Sequence, residues 1–186
     1  MKTLCIKTLK LIKKLKKTHL YKKKRMIKTN STKIREECGV FGISNINDAS
    51  ALAALGLHAL QHRGQEGCGI VSYDGKNYYS EKRFGLVGDN FNNEDTIKKL
   101  PGSYAIGHNR YSTTGGKILR NVQPFFADTN AGGIGVSHNG NFTNAITLRK
   151  KLVEDGAIFY TTSDSETIVQ LIARSKKEKN IDKIIE

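Results

Sequence analysis

Cys38 is the residue best placed to do chemistry. It stands immediately before Gly39, at an abrupt change in composition that begins at Glu36. A lone cysteine is ordinarily a small buried hydrophobe. Two features point elsewhere. Gly39 has no side chain, so backbone or ligand can approach closely. Removal of residues 1–37 would also give Cys38 an α-amine of its own. An α-amine titrates near ~8, close enough to neutrality to take the thiol proton. A cysteine of this kind is a nucleophile that needs no separate histidine base.

Three further positions carry groups suited to holding a substrate. Arg110 opens the polar loop Arg110-Tyr111-Ser112-Thr113-Thr114-Gly115-Gly116. Its guanidinium could take a carboxylate through two parallel hydrogen bonds, or could sit in an exposed ion pair. Asn139-Gly140 reads as a tight turn. It also reads as an oxyanion hole, with one side-chain amide and one backbone N–H as donors. Asp164 is either a helix-entry acid beside the helix dipole or the partner of a ligand ammonium.

The histidines do not force a Cys–His arrangement. His58 and His62 are four residues apart on a predicted helix, but Ala59 stands where a zinc-protease pattern needs Glu. His108 and His138 each precede Asn at the end of a predicted strand and read as structural. The glycines form neither a Walker loop nor a GxGxxG fingerprint, and no acidic cluster suggests a metal site. The expectation is no metal within this segment.

These groups must be positioned by short elements. Cys38–Ile43 reads as a buried strand. Asp48 is expected to cap a helix through Leu60 that stops at Gly64. Gly69–Tyr73, an Asp74-Gly75 turn and Tyr78-Tyr79 predict a hairpin. Strands follow at Tyr104–His108 and Gly135–His138. Two helices come next: one capped by Thr143 or Asn144 and stopping near Gly156, the other opened by a Ser163/Glu166 capping box. Strands followed by helices imply an α+β fold.

The chain has 186 residues, enough for one domain, and is 38% hydrophobic and 26% charged. A net charge of +14 would suggest nucleic acid or an anionic membrane. Its distribution removes most of that suggestion and confines the rest to the tail. Residues 1–37 hold 14 Lys and Arg against Glu36 and Glu37, which leaves only +2 for the remaining 149 residues. The tail is expected to be a disordered, like-charged extension. Its longest apolar run, Leu4-Cys5-Ile6, is too short for a secretory signal. Three cysteines without paired spacing argue against a disulfide framework and for a reducing compartment. The expected location is cytoplasmic. The Lys-rich tail matches an Arg- and Ser-rich transit peptide poorly, and organelle targeting stays open.

Six segments occur together in a familiar order. They are Glu36-Glu37-Cys38-Gly39-Val40-Phe41-Gly42-Ile43, Leu60-Gln61-His62-Arg63-Gly64-Gln65, His108-Asn109-Arg110-Tyr111-Ser112-Thr113, Asn121-Val122-Gln123-Pro124-Phe125, His138-Asn139-Gly140-Asn141 and Thr162-Ser163-Asp164-Ser165-Glu166. Over residues 36 to about 175 the chain resembles the N-terminal glutamine amidotransferase domain of the amidophosphoribosyltransferases, of the N-terminal nucleophile class. The resemblance implies a four-layer αββα sandwich, here C-terminally incomplete. It implies that 1–37 is a removable basic extension and 38–186 the amidotransferase domain. It assigns Cys38 as nucleophile, Arg110 as clamp for the glutamine α-carboxylate with Thr113 nearby, and Asp164 as partner of the α-ammonium. Asn139 and Gly140 become the oxyanion hole, and Arg63 a support of the nucleophile strand.

The implied partners are glutamine and, in the complete enzyme, phosphoribosyl pyrophosphate. The implied reaction is the first step of purine synthesis. Magnesium and an iron–sulfur cluster are implied for the complete homo-oligomeric enzyme and not for this segment. Two other readings are carried forward: a non-catalytic remnant that binds glutamine or a partner, and a basic-tail module for nucleic acid or membrane.

Overall fold

Two glycine-bearing strands set the architecture by letting other layers come close. The computed structural model describes residues 38–111 and 118–185. Strands β1 (Gly39–Ile43), β2 (Gly67–Tyr73), β3 (Tyr78–Phe84) and β4 (Tyr104–Arg110) form an antiparallel sheet in the order β1-β4-β2-β3. The β1–β4 register pairs Gly39 with Asn109, and the β2–β4 register pairs Gly67 with Arg110. Alternation along β2 sends Cys68 and Ile70 to one face. Gly67, Gly69 and Val71 face the other way.

Helix α1 (Ala49–Ala59) covers the first face. Alanine is the best helix former, and four buried alanines keep this helix thin enough to lie close on the strands. Leu57 is fully buried, and a Cβ on Gly107 would stand 2.6 Å from its side chain. Val87 of the short helix α2 (Val87–Asn90), Phe91 just after it, and Ile97 of α3 (Glu94–Lys98) complete this core.

The opposite face meets a second, two-stranded sheet, β5 (Phe125–Thr129) and β6 (Gly132–Val136). A Cβ on Gly69 would fall 2.3 Å from the Gln123 carbonyl oxygen. The Tyr78 ring stacks on Phe126 at 4.6 Å, and its hydroxyl donates to the Gly133 carbonyl at 2.8 Å. Beyond this second sheet, Val169 and Ile172 of α5 (Glu166–Arg174) pack on Phe125 and Ile134. Helix α4 (Ala145–Glu154) contacts α5, and a short helix α6 (Asn180–Ile185) follows. Helix and sheet are therefore mixed, as the sequence order predicts.

Four local expectations need correction. Asn144 stands at the α4 N-cap, and its side chain makes no capping hydrogen bond. Asp48 sits at the α1 N-cap in a left-handed conformation, φ 59°, and its side chain caps nothing. The Ser163/Glu166 capping box does not form. The Glu166 carboxylate instead accepts from the N–H groups of Tyr160 and Thr161 and from the Thr161 hydroxyl. Thr161 outbids Ser163 because its N–H and hydroxyl both converge on one oxygen, Oε2. The strand expected at Gly135–His138 ends at Val136, which leaves His138 in the turn. Among the described residues no helix is long and apolar enough to cross a membrane.

Candidate active site

β1 ends its pairing at Gly39, so Cys38 projects from the strand end beside Arg110 of β4. Its thiol lies between the backbone groups of Tyr111: the Tyr111 N–H donates to Sγ at 3.3 Å, and the thiol donates to the Tyr111 carbonyl at 3.4 Å. Below it, Arg63 donates Nε–H to the Cys38 carbonyl at 3.1 Å. Arg63 belongs to a 3-10 turn, Gln61–Arg63, that directly follows α1. That turn is held by the Gln61 amide, whose oxygen accepts from the Val87 N–H at 2.7 Å. The helix thus carries Arg63 to the nucleophile strand.

Arg110 is only 13% exposed and faces Glu66 at 3.8 Å. That separation is long for a charge-assisted hydrogen bond, so the pair orients the guanidinium without engaging it tightly. Next to it on β4, His108 is fully buried. Burial pushes its imidazole down to about 4, and the charge of Arg110 adds to the effect.

The second wall of the site is built by polar side chains. Gln123 accepts from the His138 N–H at 2.7 Å, and Asp164 Oδ2 accepts from the Phe142 N–H at 2.9 Å. The turn between them, His138-Asn139-Gly140-Asn141, is therefore held at both ends. Gly140 has φ 152°, and a Cβ there would stand 3.0 Å from His138 Nε2. Backbone conformation and crowding both require glycine. The His138 ring stacks on Phe142 at 5.1 Å. Asn121 and Thr162 exchange two hydrogen bonds, which brings the segment before α5 to the same place.

These walls enclose an open cleft of about 510 Å³. Cys38, Arg110, Gly140 and Asp164 all line it, together with Tyr111, Gln123, His138 and Ser165. Four residues expected from the sequence are thus brought together from β1, β4, the 138–142 turn and the entry to α5. Arg63 acts from behind through the Cys38 carbonyl. Asn139 is exposed and lies outside the lining set. Thr113 and residues 1–37 lie outside the described residues. The sequence reading missed Gln123 and Ser165, although both lie inside segments it singled out. Their signal was burial, which spacing alone does not reveal. Another hollow, about 440 Å³ and lined by Tyr73, Tyr78, Tyr104 and Ile106, holds none of these groups.

Chemically, the cleft offers a thiol, a cation, a carboxylate and a turn with backbone N–H donors. That set can bind an α-amino acid at both its charged groups and stabilise an oxyanion on its side chain. The two cysteines among the described residues differ sharply. Cys68 is fully buried in the α1 core, and its thiol is pushed up to about 12. Among the described residues no three His, Cys, Asp or Glu side chains converge on a possible metal position.

Several known proteins like this chain in sequence and fold fall in one family. The glutamine amidotransferase domain family matches residues 108–185. An amidophosphoribosyltransferase of Rhizobium etli is 58% identical over 153 residues, covering 82% of this chain and 31% of its own length. One from Lacticaseibacillus casei is 47% identical over 141 residues, covering 76% of this chain and 73% of that relative. The solved glutamine phosphoribosylpyrophosphate amidotransferase from B. subtilis, complexed with ADP and GMP, superimposes with a TM-score of 0.71 at 42% identity. That match covers 78% of this chain and 31% of the other. The chain spans about a third of the length of most of these relatives.

Proposed function

Because the chain belongs to the amidophosphoribosyltransferase family, we propose that its cleft hydrolyses the side-chain amide of glutamine and that Cys38 is the nucleophile. The observation that carries this reading is the convergence of Cys38, Arg110, Gly140 and Asp164 on one cleft. Arg110 takes the α-carboxylate, a role the family motif extends to Thr113, and Asp164 takes the α-ammonium. Together they direct the amide carbon towards the thiol, and orientation of this kind supplies much of an enzyme's rate.

Removal of residues 1–37 gives Cys38 an α-amine that accepts the thiol proton. The thiolate sulfur bonds to the amide carbon, and the carbonyl oxygen becomes negative. The Gly140 N–H stabilises that oxygen, and the Asn139 amide adds a second donor by turning in from its exposed position. The tetrahedral adduct collapses, the carbon–nitrogen bond breaks, and ammonia departs with the proton the α-amine held. Water then adds to the γ-glutamyl thioester, gives its proton to the α-amine, and releases glutamate and the thiol. Arg63 keeps the Cys38 carbonyl fixed throughout. The thiolate must stay reduced, which fits a reducing, cytoplasmic setting.

In the whole enzyme, a homo-oligomer in this reading, the ammonia passes to phosphoribosyl pyrophosphate and gives phosphoribosylamine for purine synthesis. Magnesium or an iron–sulfur cluster would belong to that larger protein, and no step here runs through either. The packing of α1, the two sheets and α5 supports an αββα arrangement of four layers for the domain.

The test is glutamine hydrolysis by the chain beginning at Cys38, by the chain keeping 1–37, and by Cys38→Ala. The first form is expected to turn over. The other two should lose on the order of 10⁴-fold or more, as for loss of a covalent nucleophile. Glutamine binding without turnover in every form would make the chain a non-catalytic binding module instead.

A further inference from the structure

The hydroxyl of Ser165 sits among three partners: Gln123 Nε2 at 3.1 Å, His138 Nδ1 at 3.0 Å and Asp164 Oδ1 at 3.3 Å. The directions of these bonds follow from what each group can do. The His138 backbone N–H can only donate, so the Gln123 atom it meets is the oxygen. The other Gln123 atom is therefore NH₂, and it donates to Ser165. Ser165 is buried, so its one proton has only Asp164 and His138 to choose between. It cannot serve both.

We propose that Ser165 is a one-proton switch that couples recognition of an amino acid's α-ammonium at Asp164 to the tautomer of His138 beside Gly140. The proposal rests on the reading of Asp164 as the ammonium partner. In the empty cleft the carboxylate is the stronger acceptor, because charge-assisted hydrogen bonds are about twice as strong as neutral ones. Ser165 then donates to Asp164, and His138 donates Nδ1–H to Ser165. His138 Nε2 is left as a lone pair. A bound ammonium neutralises Asp164 and takes over its Oδ1. Ser165 turns to the closer acceptor, His138 Nδ1. The imidazole gives up its Nδ1 proton to solvent and takes one at Nε2, so its charge does not change.

His138 Nε2 lies 3.0 Å from where a Gly140 Cβ would stand. The new Nε2–H therefore appears at the turn that faces the developing oxyanion. Ser165 and His138 act here as positioning residues. The consequence is selectivity: an amide lacking the α-ammonium would bind without bringing this donor into place.

The experiment is 15N NMR of the chain beginning at position 38, with labelled histidine and Cys38→Ala to prevent turnover, at a pH well above the ordinary imidazole range. His138→Gln assigns the signal. L-glutamine is expected to move the proton from Nδ1 to Nε2, while 5-amino-5-oxopentanoate, which lacks the amino group, should not. Ser165→Ala should bind glutamine by calorimetry yet lose the exchange. The tautomer readout on the parent chain decides the matter even if that variant fails to fold. Glutamine binding with an unchanged His138 tautomer would overturn the switch and leave the proposed reaction standing. Failure of glutamine to bind at all would overturn both.

Discussion

The two walls of the cleft are held in different ways. The wall carrying Cys38 and Arg110 is a four-stranded ladder backed by α1, where Leu57, Ile70, Val87 and Phe91 are fully buried. The wall carrying Gly140 and Asp164 has a smaller apolar core, and large side chains around it stay exposed: Ile146 is 87% and Ile158 85% exposed. That wall is held by side-chain hydrogen bonds from Gln123, Asn121, Ser165 and Glu166. Cys38 and Arg110, the proposed nucleophile and carboxylate clamp, are thus placed by backbone pairing and packing. Gly140 and Asp164 are placed by polar networks, which answer to charge and proton position. Packing resists displacement, whereas a polar network can rearrange when a ligand changes its charges.

Substitutions in each wall should expose this difference. Leu57→Ala removes a fully buried side chain from the helix–sheet interface. It is expected to lower unfolding stability by about 2–5 kcal/mol in denaturant titrations, with glutamine affinity at low denaturant little changed. Glu166→Gln replaces an acceptor-only carboxylate with a group that must aim a donor at Tyr160 or Thr161. A loss of about 1–3 kcal/mol is expected in the same titration, this time with weaker glutamine binding. Equal effects of the two variants on binding would erase the distinction between the walls.

The mildest test is pH. His108 is neutral in the fold down to about 4, whereas an unfolded imidazole protonates near ~6.5. Between those values the unfolded chain binds more protons, so stability falls as pH drops through that window. The slope is at most ~1.4 kcal/mol per pH unit. His108→Gln should flatten it, and an unchanged slope would show that other groups dominate.

Much of the site was legible in the sequence because backbone turns and strand ends leave local marks. Gly39 after Cys38, Gly140 after Asn139 and the polar run after β4 are of this kind. The hairpin β2–β3 and helices α1, α4 and α5 were also visible from apolar spacing and turn residues, although none of the expected caps forms. Glu166 shows why the rest was not. Its three-residue spacing from Ser163 fits a capping box, yet the tertiary fold brings Tyr160 and Thr161 to its carboxylate instead. β5 went unread because Phe125–Thr129 carries no clear alternation, and its strand partner and α5 give it its place. Gln123 and Ser165 acquire roles only once three distant segments meet.

The grip of Arg63 on the Cys38 carbonyl bears on the order of events in the protein's making. That contact, and the two between Tyr111 and the thiol, use atoms that a cut on the amino side of Cys38 leaves intact. In the proposed maturation, folding can therefore come first and cleavage second, and Cys38 would start its working life already in register.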